Sequence, residues 1–346
     1  MLCYFIFSPF DNAISKTEII FAHQIIKIRM NSLKKGYFLG IIGSILYGTN
    51  PLFALPLYEM GMKAEQVLFY RYLLAIVMMA GILRIKKESF KINRSEFQVL
   101  MLMGIIFSLS SLSLFKSYQY MAAGLATALQ FVYPAMVVLI MSTLMKERIS
   151  LKIVIIIFMT LFGVLMLYNS GSHKLSSTGV IFVLFSALLY AGYLVGINLS
   201  VLKDMSPYKL SFYTLAFGLT VYLINIQASG AFMWPQPAAW IDLIALAVLP
   251  SNISLLFTAM ALQLVGSTRT SILGVFEPLT AVVIGTFLFH EVMTIQILIG
   301  IATILIAVCA LILTNAEKQA KPSTHLHKHS LFHLLLFKNK MKLKKP

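Results

Sequence analysis

The sequence is poor in charge, in acidic residues and in cysteine. Only 12% of its 346 residues are charged, 12 residues are acidic, and the two cysteines are Cys3 and Cys309. A soluble domain is nearer one quarter charged, so this composition argues against a water-soluble fold. Two cysteines so far apart in the chain suggest neither a disulfide framework nor a metal site.

The sequence also lacks the short motifs that mark several large enzyme classes. It contains no H-E-x-x-H zinc helix, no G-x-S-x-G nucleophile turn and no G-x-x-x-x-G-K-[ST] phosphate loop. No pair of aspartates lies within an apolar segment. These absences argue against a membrane-embedded enzyme and against ATP hydrolysis by this chain, and nothing in the sequence calls for a cofactor.

Long apolar segments are what the sequence has in abundance, since 59% of its residues are hydrophobic. A helix that crosses a bilayer needs about 20 mostly apolar residues. The alternating pattern of a transmembrane β-barrel is missing from these unbroken runs. The sequence therefore predicts an all-α polytopic membrane protein with ten transmembrane helices. These lie at about 36–58, 64–84, 96–116, 122–145, 150–169, 177–199, 207–228, 239–263, 268–290 and 294–314.

Basic residues gather on alternate connections between these segments. One side of the predicted membrane carries most of them: five before residue 36, five in 84–94, three in 146–152, two in 203–209, Arg269, and eight after 317. The other side carries only Lys63, Lys116 and Lys174. The positive-inside rule then predicts both termini in the cytoplasm and places the chain in the cell inner (plasma) membrane.

The two ends of the chain are predicted to lie outside the membrane domain. Residues 1–35 form a cytoplasmic N-terminal extension; 1–29 lack the features of a signal peptide, and Met30 is a candidate start of translation. Residues 315–346 form a basic cytoplasmic tail. Its charge contributes to a net +16, which we interpret as attraction to anionic lipid headgroups rather than to nucleic acid.

An internal repeat organises the apolar segments. With an offset of 143 residues, SILYG (44–48) aligns with ALLYA (187–191), and LFY (68–70) aligns with SFY (211–213). With an offset of 144, AAGLATALQFVYP (122–134) aligns with GSTRTSILGVFEP (266–278). Five helices per unit is an odd number, so the two units, 36–169 and 177–314, are predicted to have opposite orientations. Inverted repeats are typical of secondary transporters, whose substrate site lies near the midplane between the halves.

The chain resembles the EamA-type transporters of the drug/metabolite transporter superfamily. The first unit carries the resemblance in LYGTNP, FYRYLLA, SYQYMAAGLATALQFVYP and MKERIS, and the second in TAMALQLVGSTRTSILGVFEP and FHEVMT. The resemblance implies ten helices, cytoplasmic termini and the export or exchange of small metabolites. It leaves the substrate open, because proteins of this type handle chemically diverse solutes.

Arg71 and Glu277 are the two clearly intramembrane charges that the segments contain. Each costs about 2.5–3.5 kcal/mol at a helix centre, so such residues usually face a bundle interior or a water-filled cavity. Glu277 is predicted to carry a proton or to bind a substrate cation. Arg71 is predicted to be structural, because its FYRYLLA motif is shared by proteins with different substrates; the two charges form an ion pair or face the cavity separately.

Prolines and amides extend the predicted site. Pro134 and Pro278 remove the helical partners of the Gln130 and Gly274 carbonyls and are predicted to kink two repeat-related helices. The remaining candidates for the cavity are polar residues at or near the centres of predicted helices: Tyr47, Asn50, Gln130, Tyr190, Asn198 and Asn252. Glu147 and Glu291 end helices, thirteen residues after the two prolines, and are predicted to be structural anchors.

These features favour a secondary transporter that exports or exchanges a small metabolite by alternating access, with proton coupling through Glu277 as one option and an energy-independent facilitator or exchanger as another. A small-molecule substrate and the lipid bilayer are the partners that this function requires, and a homo-oligomer stays open. A non-transporting receptor or scaffold and a membrane-embedded enzyme are the alternatives.

Overall fold

The fold is that of a helical membrane protein, as seen in a computed structural model of the chain. The structure describes residues 16–144, 155, 158–159, 162–163, 176–230, 232–265, 270, 273–290 and 294–320. Within these ranges every regular element is a helix. Seven helices are long and apolar enough to cross a bilayer, and two shorter apolar helices follow at Phe276–Leu288 and Ile295–Ala307. The predicted span at 150–169 lies mostly outside the described residues, so the count of ten stays a prediction.

The first half of the chain contributes six helical pieces. They are Lys16–Gly48 (α1), Asn50–Glu59 (α2), Ala64–Ile85 (α3), Arg94–Ser117 (α4), Ala123–Gln130 (α5) and Tyr133–Leu144 (α6). The first helix begins at Lys16, twenty residues before its predicted membrane start at residue 36, because no proline or glycine between Lys16 and Lys35 ends it.

The second half contributes six helices and one π-helical segment. They are Ser177–Leu199 (α7), Pro207–Ser229 (α8), Ala239–Leu246 (α9), the π-helical segment Ala247–Ile253, Ser254–Val265 (α10), Phe276–Leu288 (α11) and Ile295–Ala320 (α12). The segments α9, π and α10 follow one another without a break and together form one long span.

Four of the predicted spans are interrupted, and a proline lies at each interruption. Pro51 follows the break between α1 and α2, Pro134 follows the break between α5 and α6, Pro250 lies in the π-helical segment, and Pro278 follows the start of α11. Proline has no N–H to donate, and its ring disfavours a regular helical turn before it. The continuous, kinked helix predicted at 122–145 is therefore two helices.

The carbonyl of Gly274, predicted to lose its partner, accepts a hydrogen bond instead. The backbone N–H of Glu277 donates to it over 3.0 Å. This bond closes a tight turn that places Glu277 in the first turn of α11. The proline thus determines where the helix restarts, and the restart places the glutamate.

Helix contacts recur when the two halves of the chain are exchanged. α1 of the first half packs against α10 of the second half, and its counterpart α7 packs against α4 of the first. In the same way α1 packs against α11, and α7 packs against α5 and α6. α3 packs against its counterpart α8, and α5 packs against the region of its counterpart, α11. This is the pattern expected of two equivalent units with counterpart helices beside a shared axis.

Two hydrogen bonds between helices also lie at equivalent positions. The Ser110 hydroxyl donates to the Ser186 carbonyl over 2.8 Å, and the Ser254 hydroxyl donates to the Gly43 carbonyl over 2.7 Å. The two donors are 144 residues apart and the two acceptors 143, the offsets at which the sequences align. The repeat therefore extends to the atoms that join α4 to α7 and α10 to α1.

The bundle has two distinguishable ends. At one end, which we call the basic end, the Ser206 hydroxyl donates to the Glu88 carboxylate over 3.0 Å, and the Lys209 ammonium donates to the Lys91 carbonyl over 2.6 Å. At the opposite end, the far end, the Tyr70 hydroxyl donates to the Met233 carbonyl over 3.0 Å. Residues 86–94 and 203–209 at the basic end are the connections predicted to face the cytoplasm.

Candidate functional site

Glu277 lies at two small adjoining cavities between the halves. The larger has a volume of about 20 Å³ and is lined by Tyr47 of α1, Tyr190 of α7 and Thr258 of α10 besides Glu277. The smaller, of about 10 Å³, adds Ser44 and Tyr133. A cavity needs about 10–15 Å³ to hold one water molecule, so the site in this state is nearly closed.

The cavities extend from Glu277 toward the basic end. The larger one is also lined by Ile197 near the end of α7, Leu210 near the start of α8 and Leu262 near the end of α10. All three positions lie within four residues of helix termini at the basic end. Glu277 therefore lies at the inner limit of a narrow path that starts at that end.

Tyr190 is at the centre of a cluster of aromatic rings beside Glu277. Its ring is parallel to that of Tyr47, with centroids 6.4 Å apart and planes at 7°, and it meets Tyr133 edge-on at 4.7 Å. Tyr193 and Phe107 complete the cluster, with ring centroids 6.3 and 6.2 Å from that of Tyr190. Five rings from four helices thus surround one side of the carboxyl group.

No hydrogen bond or ion pair joins the Glu277 carboxyl group to another residue that the structure describes, although hydroxyl groups line the same cavities. Glu277 is only 5% exposed. A buried ion without a partner costs several kcal/mol. Protonation of the carboxylate or the arrival of a cation would remove that cost.

Arg71 does not pair with Glu277 and lies outside both cavities. Its Nε donates to the Ser251 hydroxyl over 2.5 Å and a terminal nitrogen donates to the Asn50 Oδ1 over 2.8 Å. Its guanidinium also lies 5.3 Å from the centroid of the Phe115 ring. The guanidinium is therefore engaged on three sides, by groups from α2, the π-helical segment and α4.

The Arg71 network connects two of the helix interruptions. Asn50 is the first residue of α2, directly after the break in the first span, and Ser251 lies in the π-helical segment. The Ser251 hydroxyl also donates to the Leu246 carbonyl over 2.9 Å. That carbonyl is four residues before Pro250, which cannot donate to it. Arg71 and Ser251 together provide hydrogen-bond donors to the Asn50 side chain and to the Leu246 carbonyl, which lie at the helix interruptions.

Four residues predicted for the cavity lie elsewhere. Gln130 donates to the Ser186 hydroxyl over 2.9 Å within the α4–α7 contact, and Asn198 is half-buried near the end of α7. Asn50 holds Arg71, and its Nδ2 has no partner among the described residues. Asn252 is 4% exposed, and neither side-chain nitrogen nor oxygen has a partner there.

The remaining predicted residues fall into two groups. Tyr47, Tyr190 and Glu277 lie together at the cavities, as their shared prediction required. Pro134 and Pro278 are buried beside the helix interruptions. Glu147 and Glu291 lie outside the described residues.

Tyr133 and Thr258 are among the cavity-lining residues that were absent from the predicted site. Tyr133 occupies the repeat position of Glu277 and lines the same cavity. Thr258 lines both cavities from α10. The alignment of the two units contained the signal for Tyr133, because residues equivalent by a two-fold axis meet when they lie close to that axis. Thr258 carries no comparable signal, since threonine is common in membrane helices as a packing residue.

Comparison with known proteins shows which transporters the chain is similar to. The sequence pattern of the EamA-like transporter family matches residues 34–169 and again residues 177–313. An uncharacterized transporter of Archaeoglobus fulgidus is 29% identical over 196 residues, which are 57% of this chain and 69% of that protein. The uncharacterized transporter YcbK of Bacillus subtilis is 21% identical over 263 residues, covering 72% of this chain and 84% of that one.

A solved crystal structure shares the fold. It aligns with a TM-score of 0.60 over 83% of this chain and 99% of its own, at 14% identity. The family match covers most of the chain in two successive stretches and agrees with the resemblance carried by the sequence motifs. The chain therefore belongs to the EamA-like transporter family.

Proposed function

We propose that the protein is a secondary transporter that moves a small metabolite across the membrane by alternating access around Glu277. The observation that carries the proposal is a buried carboxyl group without a partner, at a cavity between two equivalent sets of helices. Intramembrane acidic residues that face a cavity mark ion and substrate pathways. A receptor or a scaffold has no need of such a group.

The lining of the larger cavity includes residues near helix ends at the basic end of the bundle. The cavities lie on the basic-end side of Glu277, and the Arg71 network lies on the other side, where α2 runs from Asn50 toward the far end. The distribution of basic residues supports a basic end that faces the cytoplasm, with both termini on the cytoplasmic side of the inner membrane. The cavities then face the cytoplasm, which suits a protein that loads its substrate inside and exports or exchanges it.

Proton coupling follows from the surroundings of Glu277. The other described residues that line its cavities are apolar or carry hydroxyl groups, and the hydroxyl groups are those of Ser44, Tyr47, Tyr133, Tyr190, Tyr193, Ser254, Thr258 and Thr270. None of these supplies a positive charge at neutral pH. The protein can therefore change between its two access states while the site is neutral, with a proton or a cationic substrate bound to the carboxyl group.

Transport can be tested with the purified protein in liposomes that contain a pH-sensitive dye. The solutes are phenethylamine, phenylalanine, phenylacetate and phenylethanol, which share an aromatic body and differ in charge. We expect at least one solute to produce a proton flux that depends on the imposed pH gradient, and we expect Glu277→Gln to abolish it. A Gln side chain keeps the shape of Glu277 but cannot bind or release a proton.

Glu65→Gln is the matched control for this experiment. Glu65 is also buried, 8% exposed, but it lies in the first turn of α3 and lines neither cavity. Its substitution should leave the flux unchanged. Full response of Glu277→Gln to the pH gradient would contradict proton coupling through Glu277, and absence of flux with all four solutes would contradict secondary transport of small aromatic metabolites.

A further inference from the structure

We propose that the Glu277 cavity selects monovalent organic cations, that is, protonated or quaternary amines with an apolar body. The inference rests on the proposed transport function and specifies its substrate class. Its basis is the combination of one unpaired carboxylate, a cluster of aromatic rings and the sequestration of the nearest guanidinium.

The charge of the cavity is the first step. Glu277 is the one Asp, Glu, Lys, Arg or His residue among the described residues that line the two cavities. An entering cation would neutralise this carboxylate in a medium of low dielectric constant, where the attraction between unit charges is strong. An entering anion would place a second negative charge beside it with no compensation.

Arg71 cannot supply that compensation. Its Nε and one terminal nitrogen donate to Ser251 and Asn50, and the face of its guanidinium lies against Phe115. The group is 2% exposed. Withdrawing it toward a substrate carboxylate would leave the Ser251 and Asn50 oxygens without their donors. A zwitterion such as an amino acid would therefore find a charged partner for its ammonium group but only hydroxyl groups for its carboxylate.

The aromatic cluster supplies a second, independent attraction for cations. The ring of Tyr190 has four aromatic neighbours whose centroids lie within 6.4 Å of its own: Tyr47, Tyr133, Tyr193 and Phe107. The face of an aromatic ring attracts a cation, and the attraction is strongest where water is excluded. Several rings beside one carboxylate form a site in which the headgroup of an amine is held by charge and by ring faces together.

Apolar side chains in the lining of the larger cavity specify the rest of the ligand. Leu194, Leu255, Ala259 and Leu262 line it and offer no polar side-chain group. An aliphatic or aromatic body would fit there, whereas a polyhydroxylated body would lose hydrogen bonds to water without replacement. With a present volume of about 20 Å³, the site must widen to admit such a ligand. The Tyr47–Tyr190 contact is where α1 and α7 would separate.

Binding by the detergent-purified full chain tests the inference by isothermal titration calorimetry with three probes of similar size. The probes are phenyltrimethylammonium, benzyl alcohol and benzoate, which are cationic, neutral and anionic. We expect phenyltrimethylammonium to bind at least about tenfold more tightly than benzyl alcohol, in line with a ring-face attraction of that order. Benzoate should bind most weakly. This comparison needs only the wild-type protein, so it does not depend on the folding of any variant.

Variants then assign the selectivity to the site. Glu277→Gln should weaken binding of phenyltrimethylammonium by about tenfold or more. Tyr190→Leu should weaken it as well, whereas Tyr190→Phe keeps the ring and should stay within about threefold of wild type. Glu65→Gln should have no effect. Equal or tighter binding of benzoate or benzyl alcohol, absence of binding by all three probes, or unchanged affinity in Glu277→Gln would overturn the inference.

The two proposals fail separately. Proton flux with phenylacetate or phenylethanol that is lost in Glu277→Gln would preserve the transporter and reject the cation site. Selective binding of phenyltrimethylammonium without flux of any solute in liposomes would preserve the cation site and reject transport.

Discussion

Arg71 and Glu277 are buried charged residues at positions where the other half of the chain has a neutral residue. The repeat aligns Arg71 with Thr214 and Glu277 with Tyr133, so each half carries one charge that its partner lacks. Thr214 is buried and its hydroxyl has no partner among the described residues, while Tyr133 shares a cavity with Glu277. Arg71 is hydrogen-bonded to Asn50 and Ser251, whereas Glu277 is the group for which we propose the exchange of a positive charge.

Arg71→Met tests the structural role of the first charge. The substitution keeps an unbranched, buried side chain but leaves Asn50 Oδ1 without its donor, and an unsatisfied buried polar group costs about 1–3 kcal/mol. We expect a clearly lower thermal unfolding midpoint in detergent. Arg71→Lys should have an unfolding midpoint between those of the wild type and Arg71→Met, because a lysine cannot reproduce the planar, multiple donors of arginine.

Arg84→Met is the control for Arg71→Met. Arg84 belongs to the last turn of the same helix and is exposed. Removing its charge should change the unfolding midpoint little, as surface substitutions usually do. An Arg71→Met protein as stable as Arg84→Met would mean that the contacts with Asn50 and Ser251 contribute nothing to stability.

At the scale of elements, the broken helices position the site through close backbone contacts. Gly48 ends α1, and a methyl group added there would lie 2.5 Å from the Glu277 carbonyl oxygen and 2.7 Å from the Thr280 Cβ. Only glycine allows α1 to approach the first turn of α11 so closely. The position of Glu277 therefore depends on the absence of a side chain on another helix.

Gly48→Ala should move α11 away from α1 and so displace Glu277 from the aromatic cluster. We expect a loss of substrate flux in liposomes together with a lower unfolding midpoint. Gly192→Ala, within α7, is the matched control, because nothing lies within 4 Å of the methyl group it would add. That variant should be as stable as wild type or more so, since alanine favours a helix over glycine by about 1 kcal/mol. Equal flux in Gly48→Ala and Gly192→Ala would contradict a positioning role for Gly48.

At the scale of the whole molecule, the contacts at the basic end join the two halves. Ser206 and Lys209 belong to the second half, and their partners Glu88 and Lys91 to the first. If the halves move relative to each other during transport, a covalent link here should stop the cycle. A rigid scaffold would be indifferent to the same link.

Cysteines at Glu88 and Ser206, in a chain whose Cys3 and Cys309 are replaced, allow this test. A short bis-methanethiosulfonate reagent should bridge the pair and abolish flux, and a reducing agent should restore it. The single-cysteine proteins treated in the same way are the controls and should keep their flux. Undiminished flux in the bridged protein would contradict relative movement of the halves at this end.

The sequence predicted the class of fold and the centre of the site, but not the outer members of the site. Tyr47, Tyr190 and Glu277 were recognisable because polar or charged residues are costly in lipid and because the repeat aligns the two tyrosines. Asn50 and Gln130 have the same polar character, yet one holds Arg71 and the other lies in a serine network between α4 and α7. Composition along a helix cannot distinguish a polar residue that faces a cavity from one that faces another helix.

The breaks before Pro134 and Pro278 were underestimated for a related reason. A proline predicts the loss of a hydrogen bond, but whether the helix bends or restarts depends on what replaces that bond. At Pro278 the replacement is local, from the Glu277 N–H to the Gly274 carbonyl. At Pro250 it comes from the Ser251 hydroxyl, whose oxygen is held by Arg71 from a distant part of the chain.

The meeting of Tyr133 with Glu277 beside the axis has a consequence for how such a site can arise. In a dimer of two identical five-helix chains, a glutamate at this position would face its own copy, and two carboxylates would share one cavity in lipid. Two copies joined in one gene can diverge, so one of them can hold the acid while the other holds a phenol. Gene fusion thereby permits an odd number of charges on a symmetry axis, and a transporter of this form can exchange one positive charge per cycle rather than two.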